Sequence, residues 1–101
     1  MDLHLVYITA KDSEEAKNMG RTLVKEKLAV CANIFEGVDS IYEWEGKLHE
    51  EKEAVLIVKA KGSVLQDLIA RAKELNSYDC PCIVTLPIEG GHKEYLDWLA
   101  G

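Results

Sequence analysis

The chain has 101 residues and a net charge of −6 at neutral pH, and 48% of its residues are hydrophobic. A chain of this length supports one hydrophobic core, so we predict a single domain over residues 1–101. The apolar fraction excludes a disordered chain. The acidic balance argues against a nucleic-acid partner. No apolar run approaches the roughly 20 residues that a spanning helix needs, so we expect no membrane partner.

The three cysteines predict the redox state of the protein. Cys80 and Cys82 are separated by one proline, a spacing that strains a disulfide between them. The start of the chain, Met1–His4, carries an acid and lacks the cationic flank of a secretory signal. We therefore expect reduced thiols and a cytoplasmic protein.

The first elements are predicted to be a strand and a helix. The β-branched and aromatic residues of Leu3–Thr9 favour a strand. Asp12 and Glu15 have the spacing of a capping box, in which each side chain accepts from the other residue's backbone amide. Apolar residues then recur at helical spacing as far as Leu28, so one face of this helix packs on a sheet.

A long hairpin follows. Residues 29–44 have an extended pattern, with a bulge or bend predicted at Gly37. Glu45–Gly46 fits a two-residue turn, because glycine tolerates positive φ. The return strand is predicted over residues 47–59.

This turn fixes a register for the hairpin. Tyr42 is predicted opposite His49, on which it stacks, and Ser40 opposite Glu51. The hairpin is longer than two helices of this size can cover, and it carries Tyr42 and Trp44 away from the core. Since an isolated ribbon of this length is only marginally stable, we predict a partner subunit.

The C-terminal part completes the set of elements. Ser63–Gln66 has the spacing of a second capping box, and the helix that follows is predicted to stop near Asn76. Ile83–Ile88 is predicted to be a strand, at an edge or a bulge because Pro87 donates no ladder bond. A short amphipathic helix over Lys93–Leu99 closes the chain.

The predicted order is therefore β-α-β-β-α-β with a short C-terminal helix. This split βαβ pattern is typical of a ferredoxin-like α+β sandwich. The sequence contains no nucleophile elbow, metalloprotease motif or glycine-rich phosphate loop. We accordingly expect a protein that is not an enzyme.

The candidate metal ligands are thiols. Cys80 and Cys82 lie on one short segment, and Cys31 is a third candidate across the sheet. Soft sulfur ligands select Cu(I) or Zn(II). The competing interpretation is that these thiols are structural residues, which we favour clearly for Cys31 and only slightly for Cys80 and Cys82. The aromatic residues could stack on a planar ligand, but we favour a subunit interface for them.

Four segments carry a resemblance to a known family. They are Ala29-Val30-Cys31-Ala32-Asn33-Ile34, Ser40-Ile41-Tyr42-Glu43-Trp44-Glu45-Gly46-Lys47, Leu86-Pro87-Ile88 and Tyr95-Leu96-Asp97-Trp98-Leu99. With these segments the chain resembles the CutA divalent-cation tolerance family over nearly its whole length. The resemblance implies a ferredoxin-like subunit in a cytoplasmic homotrimer, with sheets and hairpins joined between neighbours. It also implies binding of copper or another divalent metal, and no other cofactor is predicted.

The chain departs from that family at its candidate ligands. Metal-binding members have a cysteine where this chain has Ile8, and histidines where it has Leu75 and Asn76. We therefore predict that Cys80 and Cys82 supply a replacement thiolate site. The alternative function is a small-molecule sensor that binds its ligand between subunits, as in PII-type signalling trimers, and it rests on fold analogy alone.

Overall fold

Strands and helices follow one another in the predicted order. The computed structural model describes residues 1–101. Its elements are β1 (Leu3–Ala10), α1 (Ser13–Lys25), β2 (Cys31–Trp44), β3 (Lys47–Lys61), α2 (Leu65–Leu75), β4 (Ile83–Pro87) and α3 (Lys93–Ala100). The predicted ferredoxin-like α+β sandwich with a long hairpin and a terminal helix is confirmed.

The four strands form one antiparallel sheet in the order β2-β3-β1-β4. Pro87 lies at the end of β4, an edge strand, as predicted for a residue that donates no ladder bond. Alternate residues of the two central strands point to α1 and α2, and Ile8, Leu56 and Val58 are fully buried there. Gly20 allows α1 to approach the sheet closely, because a Cβ atom at this position would lie 3.2 Å from the Ala32 side chain.

The two predicted capping boxes had different outcomes. Asp12 precedes α1, and its Oδ1 accepts from the Glu15 amide (2.9 Å). The Glu15 carboxylate reaches one residue further back and accepts from the Lys11 amide (3.2 Å). The second box was wrong: Ser63 lies in a 3₁₀ turn, Gly62–Val64, and no side chain caps α2. The 3₁₀ turn continues directly into α2, and the Leu65 amide donates to the Gly62 carbonyl. This i→i+3 bond satisfies an amide that a serine side-chain cap would otherwise have bound.

The hairpin has the predicted register. Tyr42 pairs with His49 and Ser40 pairs with Glu51. The Tyr42 and His49 rings stack at 5.2 Å with an interplanar angle of 10°. Gly37 has a φ of +62° at a register shift between residues 35 and 38, which confirms the predicted bulge. The turn residues Glu45 and Gly46 both have positive φ, as this hairpin turn requires.

The hairpin projects beyond the rest of the sheet. The last residue of β1, Ala10, pairs with Ala54, so residues 38–53 have no β1 neighbour. The molecule measures 45 × 25 × 22 Å as a result.

The face of the sheet opposite α1 and α2 is only partly covered. α3 crosses one end of it, where Leu3 and Leu99 are buried. The remaining part of this face exposes large apolar side chains by half or more, at Phe35, Val84 and Leu86. Large apolar side chains exposed on one sheet face are typical of an interaction site.

A groove between the hairpin and the thiol loop

The candidate site is a groove of about 640 Å³ beside the point where the hairpin leaves the sheet. One side is formed by β2 and β3 of the hairpin, and the other by residues 77–82, which we call the thiol loop. Thr9, near the end of β1, lies between them. The groove therefore exists because the hairpin extends beyond the end of β1.

The thiol loop is held at both ends by the backbone of Thr9. The Thr9 amide donates to the carbonyl of Cys82 (3.3 Å). The Thr9 carbonyl accepts from Nδ2 of Asn76 (2.9 Å), and Oδ1 of Asn76 accepts from the Tyr78 amide (2.9 Å). Asn76 is only 8% exposed, so its side-chain amide must find hydrogen-bond partners within the protein. It takes the place of backbone hydrogen bonds between β1 and the start of the thiol loop.

Two tyrosines connect the walls of the groove to carboxylates. The Tyr78 hydroxyl donates to Oε2 of Glu53 (2.6 Å), which ties the thiol loop to β3. The Tyr42 hydroxyl donates to Oε1 of Glu51 (2.9 Å) across the hairpin. Glu51 and Glu53 are two residues apart on one strand, so both point to the same face.

Both phenols retain their protons strongly. Burial, and then the hydrogen bond to Glu53, raise the pKa of Tyr78 well above its ordinary value. The hydrogen bond to Glu51 is the largest cause that raises the pKa of Tyr42. The phenols therefore remain neutral donors, and the groove has acidic residues (Glu51, Glu53 and Asp79) but no lysine or arginine in its lining.

Cys80 and Cys82 both line the groove, and both are exposed. None of the three thiols forms a disulfide in the structure. Cys31 lies elsewhere: it pairs with Lys59 on β3, and its sulfur is 3.6 Å from the Tyr95 hydroxyl beneath α3. The structure thus brings two of the three predicted thiols to one site. No group of three or more histidine, cysteine, aspartate or glutamate side chains in this chain is arranged to hold a metal ion.

The positions at which the family resemblance implies metal ligands have structural roles in this chain. Ile8 is fully buried in the core, and Leu75 is half-buried at the end of α2. The Asn76 side chain is used in its hydrogen bonds to the Thr9 carbonyl and from the Tyr78 amide.

Sequence reasoning missed the roles of Glu51, Glu53 and Asn76. The two glutamates belong to a run of hairpin acids that reads as a solvated surface. The two glutamates are two residues apart on β3, and the predicted register puts Tyr42 of β2 on the same face. This pattern could have indicated that the three side chains lie together. Nothing in the sequence indicated that Asn76 would reach β1, because that contact spans 67 positions along the chain.

The fold and the projecting hairpin define a ferredoxin-like α+β domain. A family model described as the CutA1 divalent ion tolerance protein matches residues 4–101. The chain belongs to this family of divalent-cation tolerance proteins.

Individual relatives agree with the family model. The divalent-cation tolerance protein CutA of Thermus thermophilus is 44% identical over 95 residues, which cover 94% of this chain and 92% of that protein. The chloroplastic CutA of Arabidopsis thaliana is 42% identical over 95 residues, 94% of this chain. This chain spans about half of the plant relatives, 52% of the Arabidopsis protein and 54% of a rice protein.

Solved structures show the same fold. The T. thermophilus Cut A1 structure has a TM-score of 0.92 at 43% identity and covers 96% of this chain and 94% of its own. The CutA structure from Archaeoglobus fulgidus, described as periplasmic, has a TM-score of 0.91 at 40% identity and covers 97% and 95%. The relatives thus come from different compartments. In this chain no helix is long and apolar enough to cross a membrane.

Proposed function

We propose that this divalent-cation tolerance protein binds copper as Cu(I) through Cys80 and Cys82, without catalysing a reaction, as a cytoplasmic homotrimer. The observation that carries the metal proposal is the placement of both exposed thiols in one groove with acidic residues in its lining. Thiolates are the soft ligands that Cu(I) prefers. A four-coordinate zinc site would need further ligands, from water or from another copy.

Two features of the thiol loop support this assignment. The loop is anchored to Thr9 at both ends, so its thiols are presented by a positioned segment. The surrounding carboxylates of Glu51, Glu53 and Asp79 attract cations to the groove. Free, exposed thiols persist in a reducing compartment, which supports a cytoplasmic location.

The copper proposal is tested by competition with a Cu(I)-specific chelator under reducing conditions. The Cys80→Ser/Cys82→Ser variant is expected to lose the high-affinity copper of the parent protein. Cys31→Ser is the matched control, because its thiol lies beneath α3, outside the groove, and it is expected to keep that copper. Unchanged Cu(I) affinity in the double variant would contradict the proposal.

The homotrimer is supported by two unpartnered surfaces. One is the projecting hairpin, whose Trp44 is 62% exposed, and the other is the apolar sheet face around Val84 and Leu86. A three-fold assembly that joins hairpins and sheet faces would bury both surfaces.

Native mass spectrometry of the reduced protein, with and without stoichiometric Cu(I), tests both parts of the proposal. The expected result is a trimer that retains copper. A monomer would contradict the trimer, and a metal-free trimer would assign Cys80 and Cys82 a purely structural role.

A further inference from the structure

A second groove lies between α1 and β2, and we call it the α1 groove. Its volume is about 490 Å³, within the range of roughly 300–1,000 Å³ that is typical of sites for small organic ligands. Ala32 and Ile34 of β2 point towards α1, since a Cβ atom at Gly20 would lie 3.2 Å and 3.8 Å from their side chains. The homotrimer proposed above joins the projecting hairpin and the opposite face of the sheet. The α1 groove belongs to neither of these surfaces.

The lining of the α1 groove is basic and apolar. Three of its eight residues are exposed cations of α1, namely Lys17, Arg21 and Lys25. The other five are apolar or glycine and include Val24 and Ala32. No acidic residue lines the groove, although the net charge of the chain is −6. The local charge is therefore opposite in sign to that of the protein.

The three cations repel one another and are poorly paired within the chain. They are spaced four residues apart on α1, so neighbours are one turn apart on the same side of the helix. Like charges at this spacing destabilise a helix. Lys17 lies 3.4 Å from the Glu36 carboxylate, whereas Arg21 donates to the neutral side chain of Asn18 (2.7 Å). Arg21 and Lys25 form no ion pair.

The helix dipole explains only one of these charges. Lys25 lies in the last turn of α1, where a cation complements the negative end of the helix. This effect falls off within the last turn, so it does not extend to Arg21. The nearby carboxylate of Glu26 is already bound to Arg71 by two hydrogen bonds, of 2.9 and 3.0 Å. Two positive charges thus lie beside an apolar surface without an anion.

We infer that the α1 groove is a binding site for an organic phosphate monoester. A phosphate carries a charge of about −1.5 to −2 at neutral pH, which matches the two cations that form no ion pair. The planar guanidinium of Arg21 suits a bidentate contact with phosphate oxygens, and Lys25 adds a second charge one turn away. The apolar part of the ligand lies against Val24 and Ala32. The bound phosphate also reduces the repulsion along α1.

The test uses the full-length, reduced, metal-free protein in its own oligomeric state and phenyl phosphate as the probe. Titration calorimetry is expected to show saturable binding that weakens as the salt concentration rises, because salt screens exposed charges. Phenol keeps the ring but lacks the phosphate, and it is expected to bind at least about tenfold more weakly. Inorganic phosphate is also expected to bind more weakly, because it buries no apolar surface.

Matched variants of exposed side chains locate the site. Arg21→Gln is expected to lower the affinity for phenyl phosphate at least about tenfold. Arg21→Lys is expected to lower it less, since the charge remains while the bidentate contact is lost. Val24→Ser is expected to weaken binding of phenyl phosphate but not of inorganic phosphate. Lys73→Gln is the control, because it removes the same charge from the last turn of α2, outside the groove, and it is expected to keep the parent affinity.

Three results would overturn the inference. They are equal binding of phenol, equal affinities of Arg21→Gln and Lys73→Gln, and the absence of saturable binding. The last is the result expected if another copy of this chain adds a strand to the free edge of β2 and fills the groove. Cys80 and Cys82 lie outside the α1 groove, and no metal is added. A negative result here therefore leaves the copper proposal standing, and loss of copper binding leaves this one standing.

Discussion

Replacing Asn76 with alanine is expected to destabilise the protein strongly, although the residue lies in a connection. Its side chain makes two hydrogen bonds of 2.9 Å, to the Thr9 carbonyl and from the Tyr78 amide. A buried donor or acceptor that loses its partner costs about 1–3 kcal/mol, and because both bonds are only part-buried we assign about 1.5 kcal/mol to each. We expect a loss of about 3 kcal/mol, a large share of the roughly 5–15 kcal/mol of a typical domain.

The assay is guanidinium unfolding at a fixed protein concentration, because the stability of an oligomer depends on concentration. The midpoint is expected to fall with an unchanged slope. Asn18→Ala is the matched control: its side chain accepts from Arg21 on the exposed face of α1, so a change below about 0.5 kcal/mol is expected. A loss below about 1 kcal/mol in Asn76→Ala would show that water replaces the amide and that the loop does not depend on it.

Three further predictions concern the core, the bulge and the phenols. Leu56→Ala is expected to cost about 2–5 kcal/mol in the free energy of unfolding, because the side chain is fully buried, and a smaller cost would mean that the core collapses around the cavity. Gly37→Ala is expected to cost only about 1 kcal/mol, since a Cβ atom meets nothing within 4 Å and only the positive φ opposes it; a larger cost by the same assay would reveal a contact. The raised pKa of Tyr78 means that its contribution to stability is fully present below about pH 10, the ordinary tyrosine value, and is lost as the pH rises further. Tyr78→Phe is therefore expected to lose less stability than the parent between about pH 9.5 and 11.5, and equal losses in chemical unfolding would refute this assignment.

The local sequence determined most of the secondary structure. The hairpin register could be predicted because Gly46 permits a two-residue turn, and a turn of known length determines every cross-strand pair up to the bulge at Gly37. The helix start at Asp12 was equally local, since its cap bond spans only three residues. The exception was Ser63, where a 3₁₀ turn took the place of a side-chain cap.

The site could be predicted only in part. Cys80 and Cys82 were candidates because they are neighbours in sequence, and neighbours on a short loop stay together in any fold. Cys31 was a weaker candidate, and the sheet places it beneath α3, beside Tyr95. The separation of these thiols follows from the strand order, which no local pattern encodes.

The sequence by itself determined the elements, the hairpin and the family, because those depend on periodicity, turn chemistry and short motifs. Only the tertiary structure decided that the hairpin and the thiol loop form one groove. That groove depends on contacts between distant positions, from Asn76 to Thr9 and from Tyr78 to Glu53. Such contacts are stable only after the sheet has brought their backbones together, so their energy is a property of the fold and is absent from any short segment of the chain.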